Sequence, residues 1–257
     1  MGIMSLFELN GKNGLVTGAG QGLGKAIAIA LAEAGANVAV VDVNKKTACD
    51  VSEEIKSLGR KSLAVKADIS KRGDVEIIIR EMIKNLGTID ILVNNAGIKR
   101  SSPSEKMGDK DWSEVISVNL TGTFLCSQLA AREMIKKGKG KIINIASMSA
   151  QIVNKGTAQA SYYASKAGVV MLTKALAAEW AKHNINVNAI SPGYCRTPLT
   201  EEFISDDEKY RARMAMVPLG RVGESHEIGS AVVFLASGAS DFITGHNLVV
   251  DGGYTLW

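Results

Sequence analysis

The sequence predicts an α/β fold in which helices cover both faces of one doubly wound, seven-stranded parallel sheet. Short runs rich in Val, Ile and Leu alternate with longer helical patterns along the 257-residue chain. The short runs lack the period-two polarity of half-exposed strands, as expected for strands covered on both faces. Such alternation favours parallel strands joined by right-handed crossovers.

The seven predicted strands are Gly14–Thr17, Asn37–Asp42, Ser62–Lys66, Ile89–Asn94, Lys141–Ala146, Asn186–Ser191 and Asn247–Asp251. The main predicted helices are Gly22–Ala34, Lys45–Leu58, Gly73–Leu86, Trp112–Lys136 and Tyr162–His183. Because no linker, repeat or low-complexity segment interrupts this pattern, we expect a single catalytic domain over residues 1–257. Within it, residues of about 197–221 are expected to form a lid over the substrate.

Composition excludes several classes of function. Lys and Arg exceed Asp and Glu by only four (30 against 26), too small an excess to indicate a nucleic-acid partner. The densest basic cluster is expected to be a solvated helix end and loop, and it consists of Lys136, Lys137, Lys139 and Lys141. The three cysteines and three histidines are too scattered for a metal site or a disulfide framework, which predicts reduced thiols. With neither a signal peptide nor a long apolar run, the chain is expected to be cytoplasmic and to have no membrane partner.

A glycine cluster follows the first predicted strand, with the sequence Thr17-Gly18-Ala19-Gly20-Gln21-Gly22-Leu23-Gly24. Glycines let the backbone turn tightly and approach a pyrophosphate, which binds the free N–H groups at the start of a helix. The segment does not fit G-x-G-x-x-G but does fit T-G-x-x-x-G-x-G. A flexible turn is the alternative for the motif alone, and its place after a strand favours a Rossmann-type dinucleotide site.

Asp42 predicts which dinucleotide binds. It ends the second strand about twenty residues further on, where a carboxylate accepts hydrogen bonds from a ribose and repels a 2′-phosphate. Gln21 is neutral and offers no cation to such a phosphate. NAD is therefore favoured over NADP, and the alternative for Asp42 is a helix cap ahead of Asn44.

Other polar residues follow the third and fourth strands. Asp68, before Ile69, is placed to reach the adenine edge or to cap the next helix. Asn95, Ala96 and Gly97 follow the fourth strand, where small residues let the adenosine pack closely. Asn94 and Asn95 are equally suited to holding neighbouring strands together.

Tyr162 and Lys166 lie four residues apart and therefore share one helical face. A nearby ammonium lowers the pKa of a tyrosine, whose ordinary value near ~10 makes it a poor base at neutral pH. Ser147 follows the fifth strand and brings a hydroxyl to the same edge of the sheet.

Together these motifs resemble the short-chain dehydrogenase/reductase family over essentially the whole chain. The resemblance implies that Tyr162 is the general acid/base, that Lys166 lowers its pKa and holds the nicotinamide ribose, and that Ser147 donates to the reacting oxygen. It also implies that Asn119 anchors a water in a proton relay to Lys166. Pro192, Gly193 and Thr197 match the segment that contacts the nicotinamide carboxamide.

Two serines compete for the catalytic position. Many family members have the serine thirteen residues before the tyrosine, which is Ser149 here. We favour Ser147, because it directly follows the strand and the loop Gln151–Ser161 is two residues longer than usual. Ser149 would then orient the substrate.

The predicted substrate contacts suggest a sugar acid, ketose or polyol. The segment around Lys99 and Arg100 resembles gluconate and ketogluconate dehydrogenases of the family, and either cation can bind a carboxylate. Solvated surface charges are the slightly favoured interpretation of this pair, and Arg211 and Arg213 in the lid are likewise expected to be solvated. Asn154 belongs to an amide-rich loop suited to sugar hydroxyls.

Three hypotheses follow for the function. The first is an NAD(H)-dependent oxidoreductase acting on a sugar acid, ketose or polyol. The second is a 3-oxoacyl-carrier-protein reductase, which generally uses NADP(H). The third is a non-enzymatic dinucleotide-binding protein, which is disfavoured because Tyr162 and Lys166 are both present. The resemblance further implies a homotetramer or homodimer built on the long helices Trp112–Lys136 and Tyr162–His183.

Overall fold

A computed structural model describes residues 2–198 and 200–257, with the side chain of Glu202 left out. Its seven strands are β1 Asn13–Thr17, β2 Asn37–Asp42, β3 Ser62–Lys66, β4 Ile91–Asn94, β5 Gly140–Ile145, β6 Ile185–Pro192 and β7 Asn247–Val250. They form one parallel sheet in the order β3-β2-β1-β4-β5-β6-β7, which confirms the predicted fold class.

Nine α-helices connect or follow these strands in the described residues. They are α1 Gly22–Glu33, α2 Lys45–Ser57, α3 Arg72–Leu86, α4 Asp109–Ile116, α5 Thr123–Lys137, α6 Ala160–Trp180, α7 Glu201–Ile204, α8 Asp207–Met214 and α9 Ser225–Ala236. The last of these is absent from the patterns predicted above. It begins at a capping box in which Glu224 and Glu227 each bind the other's backbone N–H.

Two hydrophobic cores lie on opposite faces of the sheet because successive strand residues point to opposite sides. In β1, Val16 packs with α1, α2 and α9, whereas its neighbour Leu15 packs with α3, α5 and α6. All five residues of β1 are buried. Burial on both faces explains why the strands read as continuous apolar runs.

The predicted helix Trp112–Lys136 is interrupted. Between α4 and α5 the chain makes a π-helical stretch, Ser117–Gly122, which includes Asn119. A Cβ on Gly122 would lie 2.8 Å from Cδ1 of Ile69, so the glycine permits close packing here. Wide turns of this kind often occur at functional sites.

The basic cluster is more structured than predicted. Lys141 lies in β5 with its side chain 5% exposed, and its Nζ is 2.8 Å from Oδ1 of Asp241. Because β5 is buried, the side chain of Lys141 lies inside the protein, where its charge needs the Asp241 carboxylate as a partner. Lys136 and Lys137 pair with Glu133 and Asp90, respectively.

The cysteines agree with the prediction, because Cys49, Cys126 and Cys195 are all free thiols. Burial raises the pKa of both Cys126 and Cys195 to about 12, which keeps these two protonated. None of the helices in the described ranges is long and apolar enough to cross a bilayer.

Candidate active site

A cavity of about 520 Å³ opens at the carboxyl ends of the strands, where ligands bind in doubly wound sheets. Most residues predicted for the site line it. These are Gly18, Gln21, Gly22, Leu23, Gly24, Asp42, Asp68, Ile69, Asn95, Ala96, Gly97, Lys99, Ser147, Ser149, Asn154, Tyr162, Lys166, Pro192, Gly193 and Thr197. Asn119 and Arg100 do not line it.

The glycine loop has the close approaches that its sequence predicts. Gly18 has φ +61, and a Cβ there would lie 2.7 Å from Cα of Ala96. A Cβ on Gly24 would lie 2.0 Å from the carbonyl oxygen of Gly18. The first turn of α1 has no side-chain cap at Gln21, so its N–H groups are available to an anion. The loop therefore fits the pyrophosphate of a dinucleotide.

Asp42 lines the cavity and also holds the loop in place. Its Oδ2 accepts a hydrogen bond of 2.9 Å from the N–H of Gly20, and its Oδ1 accepts one of 2.9 Å from the N–H of Asn44. The helix cap of α2 is Asn44 itself, which accepts from Lys46 and Thr47. Asp42 thus links the end of β2 to the glycine loop and leaves the capping to its neighbour.

Asp68 lines the cavity while binding its own turn. It accepts hydrogen bonds from the backbone and hydroxyl of Ser70, at 3.0 and 2.7 Å. Burial opposes ionisation of Asp68, but these bonds together with Lys71 hold its pKa below the ordinary value. Asp68 thus closes the turn before α3 but does not cap that helix, whose N-cap residue is Lys71.

The two asparagines after β4 connect strands. Asn95 Nδ2 donates to the carbonyl oxygens of Thr17 and Gly18, each at 3.0 Å, and so joins β4 to the glycine loop. Asn94 Nδ2 donates to Ser127 and to Asn144 of β5. Asn94 is therefore structural, whereas Asn95 shapes the cavity.

Three polar side chains predicted to be catalytic meet at the centre of the cavity. Ser147 and Tyr162 both line the cavity, and Ser147 Oγ accepts a 3.1 Å hydrogen bond from the N–H of Ser149. The Nζ of Lys166 lies 5.8 Å from the centroid of the Tyr162 ring. Lys166 is 4% exposed and donates 2.7 Å to the carbonyl oxygen of Ile145, at the end of β5.

The pKa values of this group differ from the prediction. Burial raises the pKa of Tyr162, and the nearby Ser147 hydroxyl opposes that rise. Burial also lowers the pKa of Lys166 to about 8, and Lys166 is not among the groups that lower the pKa of Tyr162. In the protein alone, Lys166 therefore does not bring the pKa of Tyr162 below its ordinary value. Tyr162 instead keeps its proton at neutral pH.

Asn119 is 1% exposed and lies behind the cavity. Its Oδ1 accepts 2.8 Å from the N–H of Ile98, and its Nδ2 donates to the Ile98 carbonyl and to Ser165 Oγ. A Cβ on Gly97 would lie 3.4 Å from both Asn119 Oδ1 and Lys166 Nζ. The side chain thus holds the segment after β4 against α6, and its amide is used within the protein.

Arg100 does not line the cavity. Its guanidinium binds Glu114 Oε2 at 3.0 Å and lies 3.7 Å from Asp111 Oδ1, both in α4. These carboxylates already neutralise the guanidinium that was predicted to bind a substrate carboxylate. Lys99 alone of this pair lines the cavity.

The loop before α6 builds a polar wall. Ser149 Oγ donates 2.7 Å to Asn154 Oδ1, and Asn154 Nδ2 donates 3.0 Å to the Tyr194 hydroxyl. Both ends of the Asn154 amide are thus occupied by protein groups. Gln159, from the same loop, lines the cavity, whereas Gln151 is exposed.

Sequence reasoning missed an aromatic and cationic part of the site. Tyr194, Phe203 and Arg213 line the cavity, although Arg213 was expected to be solvated. Arg213 Cζ lies 4.2 Å from the Phe203 ring centroid. The one available signal was the position of Tyr194 directly after Pro192 and Gly193.

The charged residues of the cavity are separated by sign. The acids Asp42 and Asp68 follow β2 and β3, on one side of the sheet. The cations Lys99, Lys166 and Arg213 lie after β4, on α6 and on α8. Among the residues that the structure describes, no group of three His, Cys, Asp or Glu side chains is arranged to hold a metal ion.

Comparison with known proteins gives matches over the whole chain. The family described as "Enoyl-(Acyl carrier protein) reductase" matches residues 18–255. A 2-dehydro-3-deoxy-D-gluconate 5-dehydrogenase of Escherichia coli is 41% identical over 253 residues, covering 98% of each chain. A 3-oxoacyl-[acyl-carrier-protein] reductase of Staphylococcus aureus is 41% identical over 243 residues, covering 94% of this chain and 97% of the relative.

The crystal structure of a gluconate 5-dehydrogenase from Burkholderia cenocepacia is also similar. It is 38% identical, covers 100% of both chains and superimposes with a TM-score of 0.95. That protein was crystallised in complex with NADP and tartrate. The similarity therefore extends to a protein that binds a nicotinamide dinucleotide.

Proposed function

Because this chain belongs to the short-chain dehydrogenase/reductase family, we propose that it is an NAD(P)-dependent oxidoreductase acting on a sugar acid or a related polyol or ketose. The reaction interconverts a secondary alcohol and a ketone. One observation carries the proposal: Ser147, Tyr162 and Lys166 lie together in the cavity that the glycine loop borders.

The protein's part in this reaction is proton transfer and positioning. The cofactor, when bound, supplies or accepts the hydride. Tyr162 is suited to protonate a carbonyl oxygen, because its raised pKa keeps the phenol neutral at pH 7. Ser147 donates a hydrogen bond to the same oxygen as charge develops there. Lys166 holds the nicotinamide ribose, and Asn119 positions the segment beside it.

We also propose that NAD(H) is preferred over NADP(H). Asp42 and Asp68 make the β2–β3 side of the cavity acidic, which disfavours an additional phosphate. Lys25, the first cation of α1, is paired with Glu54 at 2.7 Å. Because the Burkholderia relative was crystallised with NADP, the quantity to measure is the ratio of kcat/KM with NADH to kcat/KM with NADPH.

The test follows the loss of absorbance of NADH and NADPH in parallel. The substrates are 5-ketogluconate, fructose, sorbose and an acetoacetyl thioester. Turnover of a keto acid or keto sugar with NADH, abolished by Tyr162→Phe, supports the proposal. Preference for NADPH and the thioester would instead support a 3-oxoacyl-carrier-protein reductase, to which the Staphylococcus relative points.

We further propose a cytoplasmic homotetramer or homodimer of single-domain subunits that pair through α4, α5 and α6. Large apolar side chains are exposed on this surface: Trp112 on α4 is 43% exposed and Met171 on α6 is 64% exposed. Light scattering of the purified protein tests the assembly, and a monomer at micromolar concentration would contradict it. Residues of about 197–221 are proposed as the substrate lid; Leu199 lies outside the described residues.

A further inference from the structure

Arg213 is held in the cavity by aromatic rings. Its Cζ lies 4.2 Å from the centroid of Phe203 and 5.5 Å from that of Tyr194. A guanidinium stacked on aromatic faces keeps its planar orientation without using its N–H donors. The donors of Arg213 are therefore oriented and still available.

No protein group satisfies these donors among the residues that the structure describes. Arg213 is half-buried, yet its side chain forms neither an ion pair nor a hydrogen bond in that part of the chain. Other arginines near the cavity differ, since Arg196 pairs with Glu224 and Arg221 with Glu227. A partly desolvated cation without a partner is unfavourable, and an anionic ligand removes that cost.

A chain of contacts connects Arg213 to the proposed reacting groups. Arg213 stacks on Tyr194, whose hydroxyl accepts a 3.0 Å hydrogen bond from Asn154. Asn154 accepts from Ser149, whose backbone N–H donates 3.1 Å to Ser147 Oγ. Arg213 therefore belongs to the same end of the cavity as Ser147, away from Asp42 and Asp68.

The other two cations of the cavity are less suited to a carboxylate. Lys166 already donates to the Ile145 carbonyl at 2.7 Å. Lys99 is a compact charge on a flexible stem, whereas the guanidinium fork of Arg213 matches the two oxygens of a carboxylate.

We infer that Arg213 binds the carboxylate of the substrate, so that the site selects hydroxy and keto acids over uncharged sugars of the same length. This inference rests on the proposed function and names the chemical group that the oxidoreductase recognises. Arg213 is a specificity-determining residue, and Phe203 and Tyr194 position it.

The test compares 5-ketogluconate with sorbose, a six-carbon ketose that lacks the carboxylate. Arg213→Gln is expected to lower kcat/KM for the keto acid by about 10- to 100-fold, mainly through KM, as expected for loss of a charge-assisted pair. The loss for sorbose should be at least tenfold smaller. Arg213→Lys keeps the charge without the fork and should recover part of the keto-acid activity.

Arg211→Gln is the matched control, because Arg211 lies on the same helix and its Nε donates to Asp207 of its own helix. It should leave the ratio between the two substrates unchanged. Lys99→Gln tests the rival cation. If Lys99→Gln rather than Arg213→Gln removes the preference for the acid, the inference is wrong.

A second readout is independent of turnover. Binding of gluconate to Tyr162→Phe protein that is saturated with NAD⁺ should weaken when Arg213→Gln is added. The inference is overturned if Arg213→Gln lowers kcat/KM equally for 5-ketogluconate and sorbose, or if it leaves gluconate binding unchanged. Either result would leave the proposed oxidoreductase activity standing. If the unmodified protein reduces no keto acid and no ketose, the proposed function itself fails.

Discussion

Alanine at Gly24 would place a methyl group against the backbone of the glycine loop. The added Cβ would lie 2.0 Å from the Gly18 carbonyl oxygen and 2.4 Å from Asn95 Nδ2. Neither atom is the far end of a flexible side chain, since Asn95 is fixed by two hydrogen bonds to the loop. The loop must therefore move away from β4 to admit the methyl group.

The cost can be estimated from two opposing effects. Overpacking of this kind costs about 1–3 kcal/mol, and replacing a helical glycine with alanine returns up to about 1 kcal/mol. With two contacts this short, we expect Gly24→Ala to lower the free energy of unfolding by about 2 kcal/mol. Because the displaced loop also borders the cavity, we expect the Kd for NADH to rise at least about tenfold.

Gly73→Ala is the matched control. Gly73 lies in the first turn of α3, and a Cβ there meets nothing within 4 Å. This variant should be as stable as the unmodified protein or more stable by up to about 1 kcal/mol, with unchanged NADH binding.

The assay is urea unfolding followed by circular dichroism, with NADH binding measured separately by fluorescence. All proteins are compared at one concentration, because assembly affects the apparent stability. If Gly24→Ala unfolds at the same urea concentration as Gly73→Ala and binds NADH equally well, the packing argument for the glycine loop is wrong.

Three further predictions concern the chemistry of the site. Ser147→Ala should lower kcat for the preferred ketone by about 100-fold or more, because Ser147 is the serine that lowers the pKa of Tyr162. Ser149→Ala should lower kcat less than tenfold, because the Ser149 hydroxyl donates to Asn154, and equal losses would contradict this. Asp42→Asn should shift the ratio of kcat/KM for NADH over NADPH toward NADPH by about tenfold, measured in parallel assays, and an unchanged ratio would contradict the role given to Asp42. Burial lowers the pKa of Lys166 from 10.5 to about 8, so the unfolded chain binds more protons there between these values and stability should rise with pH. Urea unfolding from pH 7.5 to 9.5 should therefore show a smaller rise for Lys166→Met than for the unmodified protein, and identical slopes would refute the shift.

Local sequence was sufficient where short-range patterns decide the structure. Continuous apolar runs predicted all seven strands, because both faces of a central parallel sheet are buried. The spacing of Gly18, Gly22 and Gly24 predicted the tight loop, and the separation of Tyr162 and Lys166 predicted their common face. Each of these features depends on residues that are close in the chain.

Sequence patterns did not predict the helices correctly where the helical period is disturbed or weak. The π-helical stretch around Asn119 interrupts what reads as one helix, and at its end Gly122 packs closely against Ile69 of another segment. The helix α9 packs on α1, where Gly229 approaches Ala30 closely. The position of α9 therefore depends on its packing against α1, which lies some two hundred residues earlier in the chain.

Which charged side chains of the site are available to a ligand depends on the tertiary structure alone. From the sequence, Arg100 was a candidate carboxylate ligand, whereas Arg213 was expected to be solvated. Folding places Arg100 against Asp111 and Glu114 of α4, whereas it places Arg213 on aromatic rings with its donors free of described protein partners. The sequence by itself determined which elements form and which residue types reach the cavity. Only the fold decided which charges are neutralised there, because a side chain's charge is available to a ligand only when no protein partner has already taken it.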